Sequence, residues 1–248
     1  TTTVVGKLEQ SRNFFFVVPD DQRFSRDIYV ASDEAGDARH GDKVLVQLQP
    51  WDDPAKNPEG TIIEVLGKSG DARVEVLSVA RSFGLPMSFP AAVDREAESF
   101  SDQIPAEEIR KRIDLRKTIC VTIDPEDAKD FDDAVSFEPL DNGNFRLGVH
   151  IADVSHYVQP GDALDTEARD RGNSVYFPRR VIPMLPEPLS NGLCSINPDV
   201  ERLAMACDMQ IDAHGNIKSY KFFPAVMLSH ARFTYTEVAA ILEDPRGG

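Results

Sequence analysis

The sequence predicts an α+β chain in which a small β-barrel is followed by the first part of a mixed-sheet α/β domain. Five short β-type segments separated by turn residues fill residues 1–67, and from Lys117 onward hairpins alternate with capped helices. The composition agrees: 248 residues, 41% hydrophobic, with 17 Pro and 15 Gly, is the make-up of a folded chain with one large or two ordinary domains.

The first five segments are residues 3–9, 14–18, 27–31, 43–49 and 60–66. Turn signals break them at Pro19-Asp20-Asp21, Gly36-Asp37, Gly41-Asp42 and around Pro58, and no helix of normal length intervenes. Residues 68–116 read as a mixed connection containing a short helix after Pro105, with its acids early and its bases late, as the helix dipole favours. Residues 118–123 read as a buried strand. Residues 134–138 and 144–152 make a hairpin around Asp141-Asn142-Gly143. Residues 162–171 make a helix closed by Gly172, and 202–211 pair with 217–226. A final helix starts near Thr236 and stops at Pro245. The expected division is 1–67, 68–116 and 117–248. A domain begun at Lys117 has little room to finish by Gly248, so its sheet is expected to expose apolar surface.

No apolar run approaches the ~20 residues a membrane helix needs. The opening TTTVVGKLEQ lacks the basic and apolar regions of a signal peptide, and Thr1 in place of an initiator Met suggests a front-trimmed chain. Cys120, Cys194 and Cys207 are widely spaced with no CxxC pair, which argues against a zinc ribbon and for a reducing, cytoplasmic setting. Cys120 and Cys207 are expected to be buried thiols. The formal net charge of −15 argues against a basic polyanion binder, but net charge hides distribution. Residues 110–117 and 169–180 are locally basic, while six of the ten residues from Asp124 to Asp133 are acidic.

That acidic run follows one predicted strand and precedes another, so it is a loop pinned to a core. Like charges so close raise one another's pKa, and a cation would compensate them. Hard ions such as Mg²⁺ take carboxylate oxygens, keep waters and use a substrate phosphate as a further ligand. A solvated acidic loop is the plain alternative. A calcium EF-hand loop fails, because Lys129 stands where its glycine is required and helices do not flank it.

Asp124, Asp130, Asp132 and Asp133 resemble the four-aspartate signature of the ribonuclease II / ribonuclease R family. The stretches VHIADVS (149–155), RGNSVYFP (171–178), IPMLP (182–186), LSNGLCS (189–195) and SHARFTY (229–235) carry the same resemblance. It covers essentially the whole chain and is closer to ribonuclease R through GNSVYF at 172–177. The resemblance implies a hydrolytic 3′→5′ exoribonuclease that uses Mg²⁺, with Mn²⁺ as an alternative, and degrades single-stranded RNA to nucleoside 5′-monophosphates. It implies that residues 1–67 are a cold-shock, OB-type barrel and that residues 117–248 begin a catalytic domain that continues further, so that the chain is truncated at both ends and has room for a complementing chain or self-association. It also implies that Asp124 and Asp133 hold the metal most directly, while Asp130 and Asp132 complete the site by orienting water or a second ion.

The run 169–180 interleaves Arg169, Arg171, Arg179 and Arg180 with Tyr176 and Phe177. Arginines pair with phosphates, and an aromatic ring stacks on a base for about 1–3 kcal/mol. A helix end followed by a core-facing Tyr-Phe pair is the plain alternative. The resemblance implies that Tyr176 packs against bases near the 3′ end and helps set the shortest product, and that Tyr235 contacts the terminal nucleotides. In the first segment pair, Phe14 and Phe16 share one face and Phe15 the other, with Lys7, Arg12 and Arg23 available to follow a backbone. His150 and His156 read as ordinary strand and turn residues. No Ser-His-Asp arrangement, P-loop or dinucleotide fingerprint is present. A non-catalytic RNA-binding module and a protein-binding scaffold are the competing classes.

Overall fold

The computed structural model describes residues 2–12, 14–53, 55–178 and 180–244, and Arg179 lies outside them. The chain forms two compact units that divide after Met87.

In the first unit β1 (Thr3–Gln10), β2 (Phe15–Pro19), β3 (Ile28–Val30), β4 (Asp42–Leu48) and β5 (Gly60–Lys68) form one antiparallel sheet in the order β3-β2-β1-β4-β5. A bridge between Tyr29 and Glu59 brings β3 to the start of β5, so the sheet closes on itself. Alternation drives the closure: Val4, Leu8, Val17, Ile28, Val30, Val44 and Val46 point inward and form one core. Gly60 is required at this closure, since a Cβ there would stand 2.4 Å from Val46 Cγ1. The unit ends in α1 (Ala72–Ser82), a helix inside the expected connection 68–116, capped by Asp71 and joined to β5 by the Arg81–Glu64 ion pair at 2.8 Å.

The second unit opens with α2 (Ala91–Glu98), α3 (Ala106–Arg110) and the two-residue strand β6 (Ile113–Asp114). Next come β7 (Val121–Asp124), β8 (Asp133–Pro139), β9 (Phe145–Ala152), α4 (Val154–Tyr157) and α5 (Ala163–Arg171). The short pair β10 (Val175–Phe177) and β11 (Arg180–Ile182) precedes a π-helical turn at Pro188–Leu193. The chain then runs through β12 (Glu201–Ile211), β13 (Ile217–Leu228), β14 (Ala231–Thr234) and α6 (Tyr235–Glu243). The mixed sheet has the order β14-β7-β8-β9-β12-β13-β6, with β14/β7 and β13/β6 parallel.

Two cores serve this sheet. Val93, Leu164, Leu185, Leu189 and Leu193 pack with Leu203 and Val226 of the sheet. Cys120, Phe131, Ala134, Ala152, Ile196, Ala204 and Met227 form the second, directly under the acidic loop. The strand expected over 118–123 shortens to β7: Ile119 is 73% exposed, because β7 acquires its partners only from Val121 onward. Cys120 is buried as expected and Cys194 is buried too, but Cys207, expected to be buried, is half-buried. The reason is the sheet face: Val135, Val149, Cys207 and Phe222 form one row and Phe137, Leu147, Met209 and Tyr220 the next. Phe137, Tyr220 and Phe222 on that face are exposed.

Candidate active site

The acidic loop is built by the two strands that bound it. Asp124 is the last residue of β7 and Asp133 the first of β8, and the antiparallel pairing of Val121 with Val135 brings these ends together. Between them Phe131 is buried in the core, while Asp132 and Asp133 are exposed. In extended chain, neighbours of an inward residue point outward, so burying Phe131 turns Asp130 and Asp132 to the other side.

The electrostatics agree with this convergence. Burial raises the pKa of Asp124, and the charges of Asp133 and Asp130 raise it further, with Arg232 opposing. Thr122 lies close enough to lower it in part, yet Thr122 Oγ1 and Asp124 Oδ2 are both buried without a hydrogen bond of normal geometry. Asp132 is also raised, first by the protein that crowds it and then by Asp130, Asp133 and Asp124. A carboxylate that is both reached by solvent and crowded by protein lies in a recess. Among the described residues no three His, Cys, Asp or Glu side chains close around a single point, so the four aspartates form an open rim.

Tyr176 joins the rim. Its hydroxyl donates to Asp130 Oδ2 at 2.5 Å, and this bond, ahead of desolvation, pushes the phenol up to about 12. The ring is 63% exposed. Tyr235 enters from another direction: the parallel β14/β7 register sets Thr234 beside Asp124, and Tyr235 follows as the first residue of α6, exposed. The capping box of Thr234 and Glu237 fixes that helix start. Arg180 begins β11 opposite Phe177, is exposed, and makes no ion pair among the described residues.

A family model described as RNB domain matches residues 112–247, more than half the chain, and one described as cold shock domain matches residues 16–90. The chain belongs to the RNB-domain family. It is 47% identical over 243 residues to Ribonuclease R of Escherichia coli, covering 98% of this chain and 30% of that protein. To Ribonuclease R of Vibrio parahaemolyticus it is 46% identical over 240 residues, covering 97% and 29%. The chain therefore spans about 30% of the length of these curated relatives. Its fold is similar to Mycoplasma genitalium RNase R solved in complex with ribose methylated single-stranded RNA. There the TM-score is 0.90 and the identity 30%, over 98% of this chain and 38% of that one. The expected kinship with ribonuclease R and the expected barrel-plus-mixed-sheet class both hold for this RNB chain.

Three features of the RNB site escaped sequence reasoning. Arg232 Nη2 donates to the carbonyls of Pro125 and Glu126 at 2.7 and 2.8 Å, and its guanidinium lies 5.1 Å from the Phe131 ring centroid, so it clamps the first half of the loop. Ser195 grips the second half. Both lie in stretches that carry the family resemblance, which was the available signal. The third is the state of the expected basic strips. Arg112 pairs with Asp153 and Glu108, Arg116 with Asp114 and Glu201, Arg169 with Asp165, and Arg171 with Glu167. In the barrel Lys7 pairs with Glu9 and Arg23 with Asp21. These cations are neutralised within the fold, because helical i,i+4 spacing and strand turns bring acids to them. The barrel aromatics behave as expected: Phe14 lies 6.2 Å from Phe16 and 5.8 Å from Tyr29 between ring centroids, while Phe15 packs on the core.

Proposed function

We propose that this chain supplies the acidic site of a hydrolytic 3′→5′ exoribonuclease that shortens single-stranded RNA and releases nucleoside 5′-monophosphates. One observation carries the reading: at the two ends of a strand-bounded loop Asp124 and Asp132 are raised in pKa, first by burial and then by the charges of Asp130 and Asp133, and one Asp124 carboxylate oxygen is buried without a hydrogen bond of normal geometry. That donor set is oxygen-only and strongly negative, the chemistry that suits Mg²⁺, with Mn²⁺ as its substitute. Asp124 and Asp133 would hold the ion most directly, with Asp130 and Asp132 completing the set. When bound, Mg²⁺ lowers the pKa of water and neutralises charge on the leaving oxygen.

The remaining work falls to the chain itself. Asp130 and Asp132 orient the attacking water, whose oxygen bonds to phosphorus as the bond to the 3′ oxygen breaks. Tyr176, anchored by its hydroxyl, offers its ring to a base near the 3′ end. Tyr235 meets the terminal nucleotide, and Arg179 and Arg180 hold phosphates. In this reading residues 1–67 are the cold-shock barrel that guides the strand, 68–116 connect, and 117–248 carry the N-terminal part of the catalytic domain. The exposed apolar sheet face is where further polypeptide, a complementing chain or a second copy, packs. No helix among the described residues is long and apolar enough to cross a membrane. The three free cysteines suit the reducing cytoplasm.

The test uses the full-length protein and Mg²⁺ on single-stranded RNA labelled at either end. Early monophosphate release from a 3′ label, with the 5′ label retained in a shrinking ladder, is expected. In Asp132→Asn, RNA binding persists while hydrolysis collapses. Unchanged turnover in that variant refutes the site, and salt-sensitive binding without monophosphate release favours a non-catalytic RNA-binding module.

A further inference from the structure

Ser195 has no exposed surface. Its hydroxyl accepts from the amide of Phe131 at 2.9 Å and donates to the carbonyl of Lys129 at 3.1 Å. Those two groups belong to the peptide bonds on either side of Asp130. The amide of Ile196 donates to the Phe131 carbonyl at 2.8 Å, and the amide of Ala152 to the Asp132 carbonyl at 2.9 Å. The backbone from 129 to 132 is thus held at four points from two other segments, and Phe131 is anchored in the core.

Ser195 is itself braced. Arg202 is buried, and its Nε donates to the carbonyls of Ser195 at 2.9 Å and Gly192 at 3.0 Å. The amide of Asn197 donates to the same Ser195 carbonyl at 2.9 Å. Burial holds the Arg202 guanidinium below its usual range, the mark of a cation kept out of water. Burying a cation to fix one serine exceeds what an idle surface loop requires, because a solvated loop could take its hydrogen bonds from water.

We propose that Ser195, backed by Arg202, is a positioning residue that presents the carboxylates of Asp130 and Asp132 together and so sets the affinity of the acidic site for a divalent cation. The inference rests on the metal-site reading above. Removing the hydroxyl frees the peptide groups beside Asp130 and spreads the directions of both carboxylates, so the ion loses affinity before the fold is lost. Outer-shell partners of metal ligands typically carry about 10–100-fold in affinity.

The experiment measures Mn²⁺ binding to the protein without RNA, by electron paramagnetic resonance titration, alongside thermal unfolding. Ser195→Ala is expected to weaken Mn²⁺ binding about tenfold or more. Ser195→Thr, which keeps the hydroxyl, is expected to recover most of that loss. Leu189→Ala, which opens the other core of the same unit, lowers the unfolding midpoint but leaves Mn²⁺ affinity unchanged. A Ser195→Ala protein that melts earlier yet binds Mn²⁺ as tightly as the unaltered protein overturns the proposal. Failure of the unaltered protein to bind Mn²⁺ overturns the metal-site reading itself.

Discussion

Replacing Asp132 by Asn should stabilise the metal-free protein while removing its response to metal. Asp132 is crowded by protein and faces the charges of Asp130, Asp133 and Asp124. Because its folded-state pKa lies above the unfolded value, the folded chain holds its proton to higher pH. The stability this provides is complete below the unfolded pKa and is lost as pH rises through the folded-state value. Asp124, raised for similar reasons, adds a second contribution of the same sign. Asp132 is exposed, so each like-charge neighbour counts only as a surface pair, about 0.2–1 kcal/mol. Three such neighbours under salt screening amount to about 1 kcal/mol at pH 7. For a chain of this size that is a rise of about 2–4 °C in Tm for Asp132→Asn without metal.

Metal reverses the order. An ion at about a hundred times its dissociation constant stabilises the folded state by roughly 2.7 kcal/mol, or about 5–10 °C. The unaltered protein should gain that shift on adding Mg²⁺, and Asp132→Asn should gain little of it. Scanning calorimetry at pH 7, with Mg²⁺ and with chelator, reads both effects. A variant no more stable than the parent in chelator, or an equal Mg²⁺ shift in both proteins, refutes the reasoning.

Two other perturbations separate roles that the geometry joins. Tyr176→Phe keeps the ring and loses the hydroxyl bond to Asp130, so the product ladder should hold while the Mg²⁺ concentration for half-maximal activity rises; Tyr176→Ala should change both and lengthen the limit product, and identical ladders for the two variants would refute the stacking role. Arg112→Ala leaves Asp153 buried and unpaired, which should cost about 3–5 kcal/mol by denaturant unfolding. It should also flatten the acid limb of the stability curve. Arg112 holds Glu108 low, and Ser155 and Arg112 hold Asp153 low against the opposing effect of burial. The stability those carboxylates lend is present above their unfolded pKa values and is lost as pH falls through the folded ones.

Most locally encoded structure was legible, the Asp71-capped helix α1 being an exception, and structure set by distant pairing was not. The barrel strands follow from alternation and turn residues. The β8–β9 hairpin follows from Asp141-Asn142-Gly143, with Gly143 at φ 80°, and α5 from Asp162 at one end and Gly172 at φ 77° at the other. By contrast β6 and β14 are two and four residues long and exist only through parallel pairing with β13 and β7, more than a hundred residues away. Helix α2 follows Pro90 as α3 follows Pro105, but its run AAVDREAE ends on Glu98 and lacks the early-acid, late-base order that marked α3. At the site, the acidic run together with the family resemblance pointed to a cation-binding loop, and the sequence carried no more than that. The bonds of Tyr176 to Asp130 and of Ser195 to the Lys129 and Phe131 backbone cross 46 to 66 residues, which no local pattern records.

The arginine pairings bear on how an acidic protein could approach RNA. Had the cations of 110–117 and 169–180 stood free, they would have attracted phosphates by themselves. Instead Arg112, Arg116, Arg169 and Arg171 are engaged by carboxylates, while among the described residues Arg110, Lys117 and Arg180 stay exposed and outside any ion pair, Arg180 near Tyr176 in sequence and in strand pairing. The four aspartates repel a phosphate at the point where one would have to bind. In the proposed reading attraction then falls to the few unpaired cations such as Arg180, to base stacking on Tyr176, and to divalent ions that turn the repulsive rim attractive. On this account metal and RNA assist each other's binding by the same free energy, as linkage requires. The self-repulsion that weakens the metal-free fold is then also what makes the site depend on both ligands together.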